Sequence, residues 1–136
     1  MSLETQVQTR LEAVSNLTDA VSTRIYRYIR ARKTPLPCVV WRRMETEIVH
    51  HAAGETETRW ARLEVISIAD DMDTVRTVAD AVAEALSGWS DSGGTVSISM
   101  CHQQSDLDNV IPPDHGNEST EYQVIQDYRL SYYEAA

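Results

Sequence analysis

Four short runs in this 136-residue sequence carry side chains that could do chemistry. His50-His51 sets two imidazoles side by side, and Cys101-His102 sets a thiol beside a base. Asp70-Asp71-Met72-Asp73 and the stretch holding Asp106, Asp108, Asp114 and His115 concentrate carboxylates. Chemistry requires that such groups converge. Neighbours in a strand point to opposite faces and neighbours in a helix lie about 100° apart, so one ion shared by His50 and His51 needs distorted backbone. A solvated loop pair is the simpler expectation for them, and no His-x-x-x-His or Cys-x-x-Cys spacing occurs. Cys101 and His102 diverge for the same reason, with no third group to orient the base. A calcium loop needs a glycine and a distal glutamate at set offsets, which the acidic runs lack. Gly93-Gly94 is a turn, and no phosphate loop, nucleophile elbow or dinucleotide fingerprint is present. The expectation is no catalytic residue, no metal, no cofactor and no enzyme.

The elements that would position these runs are easier to read. Ser2 is a plausible N-cap, and Leu3, Val7, Leu11 and Val14 recur at helical spacing. Asn16 to Val21 reads as a turn with a short helical piece, and Arg24 to Ile29 as a short extended segment. Arg30 to Pro37 is a loop, because Pro35 and Pro37 remove backbone donors and bias their predecessors to extended geometry. Cys38 to Val49 is a strand, β-branched and aromatic early and charged later. It forms a long antiparallel hairpin with Arg59 to Ala69, where Ala61, Leu63, Val65 and Ala69 share one face and Arg62 and Glu64 the other. That pattern fades at Ile66 and Ile68, as in a central strand covered on both sides. Asp70, Asp71 and Asp73 then cap a helix in which Val75, Val78, Ala79, Val82 and Leu86 are the apolar stripe, with Gly88 at its C-terminal end.

Beyond that helix, Val96, Ile98 and Met100 are expected to face inward on a strand ending near His102. Gln103 to Ser119 is a long polar loop, functional or disordered. In the last strand, Tyr122, Val124, Tyr128, Leu130 and Tyr132 share one face, opposite Gln123, Asp127, Arg129 and Ser131. The fold class is α+β: an antiparallel or mixed sheet of four to five strands with two helices packed on it. Residues 1–136 form one domain, with mobile segments expected at 50–58 and 103–119.

Composition narrows the function classes. The net charge of −9 opposes a protein that grips nucleic-acid phosphates. No apolar run approaches the ~20 residues of a membrane span, so a soluble, intracellular protein without membrane contact is expected. The charge is uneven. Seven bases (Arg24, Arg27, Arg30, Arg32, Lys33, Arg42, Arg43) and no acid lie between residues 24 and 43, whereas only Arg129 is basic beyond Arg76. Such a division suits self-association, and six Tyr and three Trp with no Phe fit it, since those rings keep a polar handle at interfaces. Cys38 and Cys101 sit in apolar strand-like runs and read as buried free thiols, a single disulfide being the alternative.

The order of parts is informative in itself. A helix leads to Arg24-Ile25-Tyr26, then Pro35-Leu36-Pro37-Cys38-Val39-Val40, a hairpin, a strand whose acidic end opens a helix, and finally Tyr128-Arg129-Leu130-Ser131-Tyr132-Tyr133. In this order the sequence resembles the tail-completion, or tail-terminator, family of long-tailed phages, from Leu3 to Tyr133. The resemblance implies a non-enzymatic virion structural protein at the head-proximal end of the tail, assembled in the host cytoplasm and encoded by a phage, a prophage or a phage-derived particle. It implies a homohexameric ring that caps the tail-tube protein, docks on the head–tail connector, and lets DNA through its channel without specific binding. The alternative is a generic protein-binding adaptor such as a head-completion protein or a toxin-neutralising module.

A ring needs two different complementary patches per subunit. Arg24, Arg27, Arg42 and Arg43 are candidates for one. The acidic second helix or the acidic C-terminal half is the candidate for the other. The hairpin tip, with His50, His51 and Glu55, and the Gln103 to Ser119 loop, with Asp106 and Asp108, are candidates for ordering on contact with tube or connector.

Overall fold

The computed structural model describes residues 2–30, 34–51, 54–92, 96–113 and 120–134, with side chains excepted at 48–51, 54–57 and 134. Helices α1 (Leu3–Ala13) and α2 (Ser15–Val21) precede strands β1 (Ile25–Arg27), β2 (Cys38–His51) and β3 (Gly54–Ala69); α3 (Met72–Leu86), β4 (Val96–Ile111) and β5 (Glu121–Glu134) follow. The five strands form one mixed sheet in the order β1-β2-β3-β5-β4. β1 runs parallel to β2, and every other pairing is antiparallel. This is the expected α+β class, with the short helical piece before β1 a helix of its own.

Period-two burial explains why the helices lie on one face. Ala61, Leu63, Val65, Ser67 and Ala69 of β3 are buried, as are Val124, Gln126, Tyr128, Leu130 and Tyr132 of β5. They meet Leu3, Val7 and Leu11 of α1, Leu17 and Val21 of α2, and the Val75 to Leu86 stripe of α3. The other face carries Arg42, Arg62, Met100 and Leu107, all exposed, and no helix covers it. The expected acidic cap of α3 is present: Asp71 accepts from the Thr74 amide at 3.0 Å and its hydroxyl at 2.8 Å. These bonds hold the Asp71 carboxyl below its usual range. Gly88, at φ 79, turns the chain after α3 so that its amide donates to the Cys101 carbonyl at 2.7 Å.

Helix α1 is fastened by two glutamines that periodicity does not reveal. Gln6 is buried; it donates to the Val96 carbonyl at 3.0 Å and accepts from the Val96 amide at 3.1 Å. Gln8 accepts from the Trp41 indole at 2.7 Å and donates to the Ile25 carbonyl at 3.0 Å. The two amides therefore hook α1 to opposite sides of the sheet. Arg10 donates to the Ala85 carbonyl at 2.7 Å, placing a cation at the C-terminal end of α3, where the dipole favours it.

Three expectations fail, two of them on β4. Met100 does not face inward. A bulge between Ile98 and Met100 shifts the alternation, so Cys101 enters the core opposite Leu130 and Met100 is left exposed. Nor is the stretch from Gln103 a loop. It continues β4 to Ile111, paired with β5 from Gln103↔Tyr128 to Ile111↔Glu121, with a second bulge between Gln103 and Ser105. Its polar composition reflects an edge strand whose pairing is supplied by β5. Residues 114–119, with the expected Asp114 and His115, lie outside the described residues, as do 93–95 with Gly93-Gly94. The β2–β3 hairpin is antiparallel as expected, but its strands run on through the stretch expected to be a connecting tip, pairing out to His51↔Gly54, so His50 and His51 lie in β2 and not in a loop. Its tip, 52–53, lies outside the described residues.

Candidate functional site

The thiol and the base that the sequence sets side by side diverge in the structure. Cys101 points to the helix side with Leu130, while His102 pairs in register with Arg129 on the open face. Burial pushes the Cys101 thiol up to about 12, which keeps it protonated and inert at neutral pH. Burial also raises Cys38, against the pull of Arg30, whose guanidinium lies 3.9 Å from its sulfur. Both cysteines are buried and free. Among the described residues no group of three His, Cys, Asp or Glu side chains could hold a metal ion, and no helix is long and apolar enough to cross a membrane. The surface features to describe are the open face of the sheet and its two edges.

The open face is a ladder of opposite charges. Arg42 pairs with Glu64 at 3.2 Å, Arg62 with Asp127 at 3.8 Å, and Arg129 with Glu47 at 3.4 Å. The Arg129 guanidinium stacks 4.3 Å from the Trp60 ring centroid, and Trp60 meets His102 edge to face at 6.5 Å. A shallow groove follows this ladder, lined by Glu45, Glu47, Trp60, Arg62, Gln104 and Arg129. Beside it lies an apolar row in register across four strands: Val40↔Ile66, Ile66↔Ile125, Ile125↔Leu107.

The β1 side is basic. Arg27 is exposed on β1, and Arg24 donates to the Pro37 carbonyl at 2.9 Å. Arg30 forks onto both oxygens of Glu121 at 2.9 and 2.7 Å. Arg43 reaches Glu4 in the first turn of α1 at 3.1 Å. Of the four predicted interface arginines, Arg42 and Arg43 are thus engaged within the chain, whereas Arg24 and Arg27 have no acidic partner among the described residues.

The β4 side is acidic. Asp106 and Asp108, two residues apart on the helix side of β4, flank Arg76 of α3, which binds Asp106 at 2.9 Å and also contacts Asp108. Burial alone would raise the Asp106 carboxyl, but hydrogen bonds from Arg76, Gln126 and Gln103 outweigh it and hold it below its usual range. His50, His51 and Glu55 fall at the far end of the hairpin, with His50↔Glu55 in register. Their side chains lie outside the described residues. The predicted contact residues do not converge on one spot. They divide between the β1–β2 side (Arg24, Arg27, Arg42, Arg43), the far end of the hairpin (His50, His51, Glu55) and β4 (Asp106, Asp108), and the Trp60–Arg129–His102 cluster, invisible before the register is known, lies between the two edges.

This division makes sense in a subunit of a larger assembly, and the comparisons give it a context. Residues 5–109 match the model of the family described as tail completion protein gp17. The chain belongs to this family. No curated protein sequence matches it. Among solved structures it is similar to a chain in the virion of a native gene transfer agent particle, with a TM-score of 0.69. The two are 15% identical, and the match covers 97% of this chain and 95% of the other, so the likeness is one of fold. As a tail completion protein, this chain is a tail structural protein.

Proposed function

We propose that this protein is a non-enzymatic, ring-forming tail terminator: it caps the tail tube at its head-proximal end and provides the surface that docks on the head–tail connector. The family match over residues 5–109 carries this reading. Two further observations support it. The surface charge is sorted into unlike edges, as a heterologous contact repeated to closure needs. The net charge of −9 also suits a channel through which DNA slides without adhering. A hexamer is the expected closed form.

The test is complementation of particles that lack the protein. With it restored, electron microscopy should show tails of uniform length, joined to heads, with a six-fold ring at the head-proximal end. Uniform, head-joined tails in its absence would sink the reading. A copy on the head vertex that is already present before any tail attaches would instead favour a head-completion role.

A further inference from the structure

The geometry points to one interface between copies of this chain: the outer edge of β4 in one subunit docks along the β1–β2 edge of the next. This deepens the ring reading proposed above and rests on it.

Three independent features coincide on these two edges. The first is backbone. The outer side of β4 is engaged by Asp91, paired with Ile98, and by Gly88, bonded to Cys101. From His102 to Ile111 it has no further backbone partner among the described residues. On the other side of the sheet, β1 covers β2 only from Val39 to Trp41, with the Tyr28 amide adding one bond to the Trp41 carbonyl at 2.8 Å. β2 runs on to His51, and beyond Trp41 that side has no backbone partner among the described residues. Long unpaired edges like these are templates for another strand.

The second is apolar surface. Seven large apolar side chains are exposed among the described residues: Tyr28, Ile29, Met44, Met100, Leu107, Val110 and Tyr133. All but Tyr133 lie on the two edges. Ile29 is the most exposed, at 81%, and Leu107 on the opposite edge is at 61%. Tyr28 is also held at φ 73, a backbone region that non-glycine residues rarely adopt, which projects this aromatic at the end of β1.

The third is charge. Residues 24–43 carry seven bases and no acid, and Arg24 and Arg27 on that side have no acidic partner among the described residues, whereas β4 presents Asp106 and Asp108 with Arg76 of α3 shared between them. Direction is compatible as well. Successive antiparallel pairings make β4 antiparallel to β2. Rotation about an axis along the strands preserves that relation, so β4 of one copy meets β2 of the next in the antiparallel sense.

Thiol cross-linking tests this. Ile29→Cys and Leu107→Cys place exposed thiols on the two edges, while the native cysteines are buried. Within one chain the two edges are about 19 Å apart, four strand spacings, so a short bis-maleimide cannot join them inside a subunit. The two variants are mixed, both as free protein and during tail assembly. Cross-linked dimers containing one of each variant are expected, with none from either variant alone; the double variant should give a ladder that stops at the closed ring. Dimers from Leu107→Cys alone would mean that like edges meet, which overturns the proposal. Rings visible by electron microscopy without a mixed cross-link would overturn it while leaving the ring reading intact. Absence of rings both in solution and on tails, for wild-type protein as well, would overturn both.

Discussion

Replacing Gln6 with leucine tests whether the amide clamp between α1 and β4 holds the helical layer in place. Gln6 is 3% exposed and holds both backbone groups of Val96, accepting at 3.1 Å and donating at 3.0 Å; its amide also lies 3.2 Å from Asp91. Leucine is close in volume, so it leaves little cavity, but it strands a buried N–H and a buried C=O where β4 begins. Each stranded group costs about 1–3 kcal/mol. The added apolar burial returns about 1 kcal/mol. The expected net loss for Gln6→Leu is therefore about 1–5 kcal/mol. Urea unfolding followed by tryptophan fluorescence measures it, at protein concentrations where the midpoint no longer depends on concentration. Thr9→Ala, an exposed position on the same helix, serves as the control and should stay within about 0.5 kcal/mol. A change for Gln6→Leu no larger than that of the control would show that the clamp contributes nothing, and that apolar packing alone positions α1.

Other perturbations follow from the same structure. Because Asp106 is held below its ordinary 3.8, the stability it supplies is complete above that pH and drains away as pH falls through its lower folded value; in Arg76→Ala this acid-side loss should be smaller, which pH-dependent thermal unfolding will register. Arg76→Ala itself should cost under about 1 kcal/mol at neutral pH, as a half-exposed pair. With its thiol pushed up to about 12, Cys101 should resist maleimide at pH 7 in the folded protein and react fully in urea; rapid native labelling would contradict its burial. The Tyr128 hydroxyl is buried without a hydrogen-bond partner, so Tyr128→Phe should leave the unfolding midpoint unchanged or raise stability by about 1 kcal/mol, and a loss of that size would mean that the hydroxyl is satisfied. Assembly should weaken between 0.05 and 0.5 M salt, as the Debye length shrinks below about 10 Å, if charge brings the edges together; sedimentation at the two salts decides.

Much of this fold is legible in the sequence because one face of nearly every element is buried. The α3 stripe, the Asp71 cap and the alternation of β3 and β5 can each be read from side-chain spacing alone. The exceptions share a cause. Met100 and the Gln103–Ile111 half of β4 depend on two bulges and on a partner strand that arrives only later in the chain. An edge strand with one face in solvent and its pairing donated by β5 has little reason to look like a strand. Gln6 and Gln8 are unreadable for a related reason, since their hydrogen bonds close over 90 and 33 residues respectively. The interface candidates were legible as charge, from the imbalance between residues 24–43 and the acidic remainder. Their state of engagement was not: Arg42 and Arg43 already have partners in Glu64 and Glu4.

That last point fixes where association can draw its energy. On the open face each arginine meets a carboxylate of its own chain, so the face is nearly neutral and exerts little long-range pull. An approaching copy would have to break those pairs or desolvate them intact, and desolvating a formed ion pair is seldom recovered by contact. The edges hold ion pairs too, Arg30 with Glu121 and Arg76 with Asp106 and Asp108, but they add what the open face lacks. Arg27 has no acidic partner among the described residues, the outer backbone of β2 beyond Trp41 and of β4 beyond Cys101 has no partner among them either, and the exposed apolar residues on these edges gain from leaving water. A sheet with one face filled by helices and the other self-neutralised leaves its edges as the surfaces on which docking costs least. Because those edges differ in sign and run in opposite directions, the proposed contact is head to tail, the kind that closes into a ring when its rotation allows, where a self-complementary patch would stop at a pair.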